Sequence, residues 1–149
     1  MDLNISMIRD SFELAKPLAD KIADRFYVNL WGDYPGSKAL FGKVDMAQQK
    51  KALVGSLVQI VTLLDQPKRL TEYLQAMGAR HVKYGAEDLH YDWVGASLLK
   101  TFGEFMGAAW TPPLVEQWKL AYGVIADTMK KGAHEARLNG GRMARAANH

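Results

Sequence analysis

The stretch from Leu70 to Gly85 reads LTEYLQAMGARHVKYG and is the most informative segment for the fold. Its apolar stripe runs through Leu70, Leu74 and Met77 to His81 in steps of four, three and four residues, which is the spacing of one helical face. An imidazole buried on such a face costs free energy unless its ring nitrogens have partners. The residues alone therefore leave two interpretations of His81 open, a core histidine bonded to a backbone carbonyl or a metal ligand.

The same helical spacing recurs outward from this segment in both directions, and no sustained alternation of the strand type interrupts it. Proline and glycine mark the joins, for example at Asp65-Gln66-Pro67 and Thr111-Pro112-Pro113. The other predicted helices run over 8–18, 22–30, 35–41, 47–64, 91–106 and 114–129. We therefore predict an all-α domain with about seven helices.

Length and composition narrow the class of protein. The chain has 149 residues, of which 48% are hydrophobic and 23% charged, as expected for one globular domain. It contains no cysteine, which excludes a disulfide scaffold, a thiolate metal site and a cysteine nucleophile. The first residues lack the pattern of a signal peptide, and the uncharged stretches are too short to span a bilayer. We expect a cytoplasmic protein that binds no membrane.

The basic charge lies at the C-terminal end of the sequence. From residue 129 onward, five lysines and arginines stand against one glutamate, although the whole chain carries a net charge of only +3. The segment lacks the interleaved aromatic residues of a nucleic-acid platform, so we expect no nucleic-acid partner. Asn139-Gly140-Gly141 predicts a helix break. The expected organisation is a domain over 1–133 and a loosely ordered basic tail over 134–149.

Common catalytic motifs are absent from the sequence. It contains no H-E-x-x-H, no G-x-S-x-G and no G-x-x-x-x-G-K phosphate loop, and no two histidines stand four residues apart. The residues therefore nominate no catalytic side chain.

Several short fragments nevertheless occur in a fixed order. They are Phe26–Trp31 (FYVNLW), Tyr34-Pro35 with Phe41, Gln49–Leu53 (QKKAL), His81–Gly85 (HVKYG), His90–Gly95 (HYDWVG) and Trp118–Ala126 (WKLAYGVIA). Together they resemble the globin family, specifically the single-domain bacterial haemoglobins and the globin module of flavohaemoglobins. The resemblance extends from about Ile8 to Met129 and implies a globin fold around a buried haem.

The resemblance also implies a set of site residues. The cofactor would be haem b (iron protoporphyrin IX), with His81 as the proximal iron ligand. The residues expected to contact the cofactor are Phe41, Leu53, His81, Tyr91, Val94 and Tyr122. The distal, ligand-binding side would be formed by Tyr27, Gln49 and Leu53. For Tyr91 and Tyr122, a purely structural role as core aromatics stays open.

Tyr27 and Gln49 suit a pocket that binds diatomic gases. A phenol O–H and an amide N–H can donate hydrogen bonds to bound oxygen, which carries partial negative charge, and such bonds count for more in a dry pocket. Gln48 is adjacent, but Gln49 shares a helical face with Leu53 and Leu57, so we assign the role to Gln49. The alternative is that the Tyr27 hydroxyl points away and bonds a backbone carbonyl.

Two departures from the family pattern limit the functional inference. Flavohaemoglobins often place a glutamate eleven residues after the tyrosine of W-x-x-A-Y, where this sequence has Ala133, with Glu135 off register. A proximal carboxylate relay is therefore in doubt. The flavin and nicotinamide domains are also absent from this sequence, so turnover that oxidises the iron would need an external reductase.

These observations favour a globin that reversibly binds oxygen, carbon monoxide and nitric oxide, for oxygen storage or delivery. The alternative is an enzyme, a nitric oxide dioxygenase that depends on a separate reductase. A third class is a sensor whose basic tail contacts a partner. The sequence is compatible with a monomer or a homodimer.

Overall fold

Six α-helices and three short 3-10 helices form the computed structural model, which describes residues 3–147, with side chains described for residues 3–140. The α-helices are α1 (Ile5–Ala15), α2 (Ala19–Asp33), α3 (Met46–Thr62), α4 (Pro67–Lys83), α5 (Asp88–Met106) and α6 (Pro112–Ala147). The 3-10 helices are Lys16–Leu18, Pro35–Phe41 and Gly107–Ala109. No strand occurs between residues 3 and 147, so the all-α prediction is confirmed, with Pro35–Phe41 as the seventh predicted helix.

Local sequence sets the helix boundaries. Asn4 caps α1, since its side-chain oxygen accepts from the Met7 N–H at 3.0 Å. Asp45 caps α3 by accepting from the Ala47 N–H at 3.0 Å. α5 begins at Asp88, three residues before the predicted start, because Glu87 and His90 form a capping box. None of the helices in the described range combines the length and apolarity that a bilayer crossing demands.

The larger of two apolar clusters joins α1, α2, α5 and the first half of α6. Its buried residues are Ile8, Phe12, Ala15, Ile22, Phe26, Tyr27, Leu30, Val61, Leu98, Phe102, Leu114, Trp118 and Ala121. Polar bonds fix the register of these helices. The Trp118 indole N–H donates to Ser11 Oγ at 2.9 Å, and the Asn29 amide donates to Thr101 Oγ1 at 3.0 Å. We call this the first cluster, and it holds α2 in place.

A second cluster joins α4 to the middle of α6, together with residues at the end of α3 and at the start of α5. Its buried residues are Ile60, Leu63, Leu70, Leu74, Met77, Tyr91, Ala126 and Met129. Tyr122 and Leu64 pack against both clusters. α4 packs mainly on α6 and shares no sizeable interface with α2 or α3. The molecule therefore has two apolar regions, which meet along α6.

The crossing of α4 and α6 is unusually close because each helix places a glycine at the contact. A Cβ atom at Gly78 would overlap the backbone of Met129, and a Cβ atom at Gly132 would overlap the backbone of Gln75. The two backbones thus touch without intervening side chains. This contact restricts the sliding of α4 along α6 and its rotation about its own axis. The last turn of α4 carries His81.

The end of α6 differs from the expectation. The predicted break at Asn139-Gly140-Gly141 is wrong, because the helix continues to Ala147. Each glycine inside a helix costs about 1 kcal/mol relative to alanine, so Gly140 and Gly141 together cost about 2 kcal/mol, and the alanines and arginines that follow favour helix. The segment 134–140 is therefore helical. The division into a domain over 1–133 and a tail over 134–149 stays a prediction, and residues 148 and 149 lie outside the described range.

Candidate functional site

His81 lies in the last turn of α4 with one ring nitrogen engaged. Its Nδ1 atom is 2.7 Å from the carbonyl oxygen of Met77, which can only accept, so Nδ1 carries the proton and donates. Nε2 is then the atom with the free lone pair, and it has no hydrogen-bond partner among the described side chains and backbone. Burial lowers the pKa of His81, and the nearby Arg80 acts in the same direction, although the bond to Met77 opposes both. The neutral imidazole is the form that binds metals.

Aromatic rings surround the His81 side of the site. The ring centroid of Tyr91 lies 6.5 Å and that of Tyr84 lies 5.6 Å from the His81 ring. Tyr122 donates from its hydroxyl to the Tyr91 carbonyl oxygen at 2.6 Å. Its ring occupies the space that a side chain at Gly95 would need. Tyr91 and Tyr122 therefore form one unit that joins α5 to α6 beside the histidine.

The Tyr91 hydroxyl is buried without a hydrogen-bond partner among the described residues. Ala133, at the position where the family pattern often has glutamate, is 1% exposed, and Glu135 is exposed. Neither residue supplies a carboxylate to this hydroxyl. The geometry therefore agrees with the expectation that a proximal carboxylate relay is in doubt.

Tyr27 and Gln49, in α2 and α3, are hydrogen-bonded to each other. Tyr27 in α2 is 2% exposed, and the Gln49 side-chain amide in α3 donates to its hydroxyl oxygen at 3.1 Å. The Gln48 side chain is exposed. Because the Tyr27 oxygen accepts from Gln49, its own proton is free to be donated elsewhere. Burial raises the pKa of Tyr27, although the bond from Gln49 lowers it, so the phenol keeps its proton at neutral pH.

Two further rings hold Tyr27 in place. Phe41 meets its ring edge-on with centroids 5.5 Å apart, and Trp31 lies 5.6 Å away. Trp31 also packs at 6.1 Å from Phe41, and Lys38 lies over its indole. The sequence analysis assigned no role to Trp31, although its spacing of four residues from Tyr27 places both on one face of α2.

The two remaining predicted residues are partly buried. Leu53 in α3 and Val94 in α5 both pack against the first cluster. Leu53 also lines an apolar cavity of about 20 Å³ between α1, α2, α3 and α5. The predicted residues thus form two groups, one with Tyr27, Gln49 and Phe41 and one with His81, Tyr91 and Tyr122, while Leu53 and Val94 pack on the first cluster. The roles assigned to them stay predictions.

A metal held by protein side chains alone finds no support here. In the part of the chain with described side chains, no three histidines, aspartates or glutamates come together as ligands. A metal bound at His81 would need its other ligands from a cofactor. One imidazole nitrogen with a fixed partner on the other is the donor set that an axial ligand of haem iron requires.

Three residues that lie in α4, or contact α4 or the loop after it, were not predicted. Gly78 and Gly132 allow the close helix crossing, and Arg137 contacts the loop after α4, with its guanidinium donating to Ala86 O at 2.9 Å. A glycine inside a strong helical stripe was the available signal, since such a glycine is costly without a packing reason. The contact of Arg137 had no signal in the local pattern.

The buried tyrosines predict a loss of stability at alkaline pH. Burial raises the pKa of Tyr122 most strongly and raises the pKa of Tyr27 and Tyr91 as well, from an ordinary value of 10.0. The unfolded chain therefore loses these protons first, so stability is full below about pH 9 and falls above about pH 10. We expect Tyr122→Phe to reduce the slope of the free energy of unfolding against pH above about pH 10 by the equivalent of nearly one proton. Urea unfolding of the cofactor-free protein at several pH values measures the slope, and equal slopes for parent and variant would contradict the prediction.

The amino-acid sequence is similar to those of known proteins over most of its length. The sequence profile of the family described as Globin matches residues 24–129. A Flavohemoprotein from Rhodopirellula baltica is 34% identical over 125 residues, which are 83% of this chain and 31% of that protein. A Flavohemoprotein from Bacillus subtilis is 28% identical over 125 residues, with the same coverage of 83% and 31%. The chain therefore spans about a third of the length of these relatives.

Solved structures share the architecture. A bacterial globin from Campylobacter jejuni superposes with a TM-score of 0.77 at 23% identity, covering 88% of this chain and 94% of that one. An engineered carbene transferase from Rhodothermus marinus gives a TM-score of 0.80 at 22% identity, covering 90% and 93%. At these identities the structural likeness concerns the fold alone.

Proposed function

Because the chain belongs to the globin family, we propose that it uses a b-type haem to bind oxygen and other diatomic gases reversibly, for oxygen storage or delivery. Its relatives named Flavohemoprotein imply a haem cofactor for the globin region they share with it. The absence of cysteine in the sequence suits a reducing compartment, so the proposal includes a cytoplasmic location.

The observation that carries the proposal is the hydrogen bond from Gln49 to the Tyr27 hydroxyl, with a donor–acceptor distance of 3.1 Å. It leaves the phenol proton free beside the rings of Phe41 and Trp31. A donor held this way needs no reorganisation when a partly negative ligand arrives. Such a hydrogen bond favours oxygen over the less polar carbon monoxide.

His81 would hold the cofactor from the other side. Its Nδ1–H is committed to the Met77 carbonyl, which fixes the ring orientation and leaves Nε2 to bind iron. When bound, the haem supplies an iron with four porphyrin nitrogens and one site for a diatomic gas. The side chains that would contact the porphyrin are Phe41, Leu53, Tyr91, Val94 and Tyr122. These apolar and aromatic groups would keep water from the bound gas.

The test is the oxygen dissociation rate of Tyr27→Phe. This change keeps the ring and its packing and removes the donor. We expect oxygen release to accelerate about tenfold or more, equivalent to at least ~1.4 kcal/mol, while carbon monoxide release changes much less. Stopped-flow measurement at one pH and temperature checks the result. Equal oxygen dissociation rates in parent and variant would refute the role of Tyr27.

Gln49→Leu should act in the same direction but more weakly. The adjacent Gln48 provides the matched control, because Gln48→Leu makes the same chemical change on an exposed side chain. The effects of Tyr27→Phe and Gln49→Leu should not add, since the two groups share one hydrogen bond. An effect of Gln48→Leu as large as that of Gln49→Leu would contradict the assignment.

Nitric oxide dioxygenation is the second candidate, and the Tyr27–Gln49 pair favours it as well, because it would retain the oxygen that the reaction consumes. Oxygen and nitric oxide combine to nitrate with the uptake of one electron, so turnover requires a separate reductase. Nitrate formation coupled to an added reductase distinguishes this activity from simple oxygen binding. Loss of turnover in Tyr27→Phe would be expected for the enzyme.

A further inference from the structure

Arg137 in α6 contacts the loop between α4 and α5, which begins three residues after His81. We propose that Arg137 is a positioning residue for His81, acting through this loop. The inference rests on the proposed function, because His81 matters most as a ligand of iron. It gives the basic segment a structural task that its sequence did not suggest.

A chain of hydrogen bonds carries the argument. Arg137 donates from its guanidinium to the Ala86 carbonyl oxygen at 2.9 Å. The Ala86 N–H donates to the His81 carbonyl oxygen at 3.1 Å. The His81 ring in turn donates to the Met77 carbonyl oxygen at 2.7 Å. Three bonds therefore connect the end of α6 to the turn that orients the imidazole.

A second contact ties the same loop to α6. The His134 Nε2 atom lies 3.2 Å from both carboxylate oxygens of Asp88, the first residue of α5. His134 and Arg137 are three residues apart and thus share a face of α6. Their partners Ala86 and Asp88 are two residues apart, Ala86 in the loop and Asp88 at the start of α5. Ala86 in the loop and Asp88 at the start of α5 therefore both have a partner on α6.

The part of α6 that carries these groups is itself firmly placed. Gly132 touches the backbone of Gln75 in α4, and Ala133 is 1% exposed. Within the loop, Gly85 has a φ of +81°, and the N–H groups of Tyr84 and Gly85 donate back to carbonyl oxygens in the last turn of α4. Arg137 and His134 are exposed, so each contact contributes little to global stability. Their effect should instead be local, on the order of the loop and of the turn at His81.

Amide hydrogen exchange in the cofactor-free protein tests the loop contact. We expect Arg137→Ala to accelerate exchange of the Ala86 amide hydrogen about three- to tenfold. The Ala86 carbonyl oxygen loses its donor in this variant, so the loop should open more often. Arg137→Lys should give an intermediate rate, since lysine keeps one donor. Lys131→Ala is the matched control, as it removes the same charge from an exposed position of α6.

The haem-loaded protein tests the effect on His81. The iron–histidine stretching band of the ferrous, ligand-free form should shift or broaden in Arg137→Ala and remain unchanged in Lys131→Ala. A purely structural role would lower the melting temperature without moving this band. An unchanged band, or exchange at Ala86 no faster than in the control, would overturn the proposal.

The two readouts keep this inference separate from the proposed function. If His81 is not the iron ligand, the exchange experiment still reports whether Arg137 orders the loop. If the exchange is unaffected while His81 binds iron, the proposed function stands and the positioning role of Arg137 fails.

Discussion

Replacement of His81 by glycine is expected to abolish stable haem binding. The imidazole supplies the proposed axial bond, and its orientation is fixed by the bond from Nδ1 to the Met77 carbonyl oxygen. We expect haem transfer to an excess of acceptor protein to accelerate by at least about a hundredfold, equivalent to ~2.8 kcal/mol. Free imidazole should restore binding, because glycine leaves room for it at the same place.

His90→Ala is the control for this experiment. His90 belongs to the capping box of α5, so its loss should lower stability slightly and leave haem binding intact. Haem retention and ferrous carbon monoxide spectra measure both variants. If His81→Gly keeps an unchanged spectrum and normal retention without imidazole, another group binds the iron.

Gly132→Ala is expected to destabilise the protein severely. The new Cβ atom would overlap the backbone of Gln75, and backbone cannot move aside as a flexible side chain can. We expect the free energy of unfolding to fall by at least about 1–3 kcal/mol, as for other overpacked sites. Gly78→Ala should have a similar effect, because its Cβ atom would overlap the backbone of Met129.

Gly123→Ala is the matched control on the same helix. A Cβ atom there would meet nothing within 4 Å, so the change should stabilise the protein by about 0.5–1 kcal/mol through helix propensity. Urea unfolding of the cofactor-free proteins, followed by circular dichroism, gives the three values. If Gly132→Ala and Gly123→Ala changed stability equally, the close crossing of α4 and α6 would be incorrect.

The helical organisation could be predicted because the information is local. Apolar residues repeat at helical spacing, and Asn4, Pro67 and Gly85 mark boundaries through capping, fixed φ and positive φ respectively. The length of α6 could not be predicted in this way, because Gly140 and Gly141 look like a breaker although each costs a helix only about 1 kcal/mol. The cost of such a residue depends on its neighbours and on the packing of the whole element.

For the candidate site, too, local features could be predicted from the sequence and non-local contacts could not. The register of Gln49 followed from its spacing to Leu53, and the hydrogen bond to Tyr27 agrees with that choice. The contact of Arg137 with Ala86 joins residues 51 positions apart, and no local periodicity encodes such a pairing. The meeting of Gly78 with Met129 is equally non-local. Patterns along one helix predict which face is apolar but not which residue lies opposite.

The one-sided packing of α4 has a consequence for how a cofactor enters and leaves. Because α4 packs mainly on α6 and contributes no buried residue to the first cluster, we expect a local opening of α4 to leave the first cluster folded. Gln66-Pro67 and Gly85 lie at the two ends of α4, where the backbone can bend during such an opening. We therefore expect exchange of the proposed cofactor to need this local opening and no global unfolding, and to become more frequent when the glycine crossing of α4 and α6 is loosened.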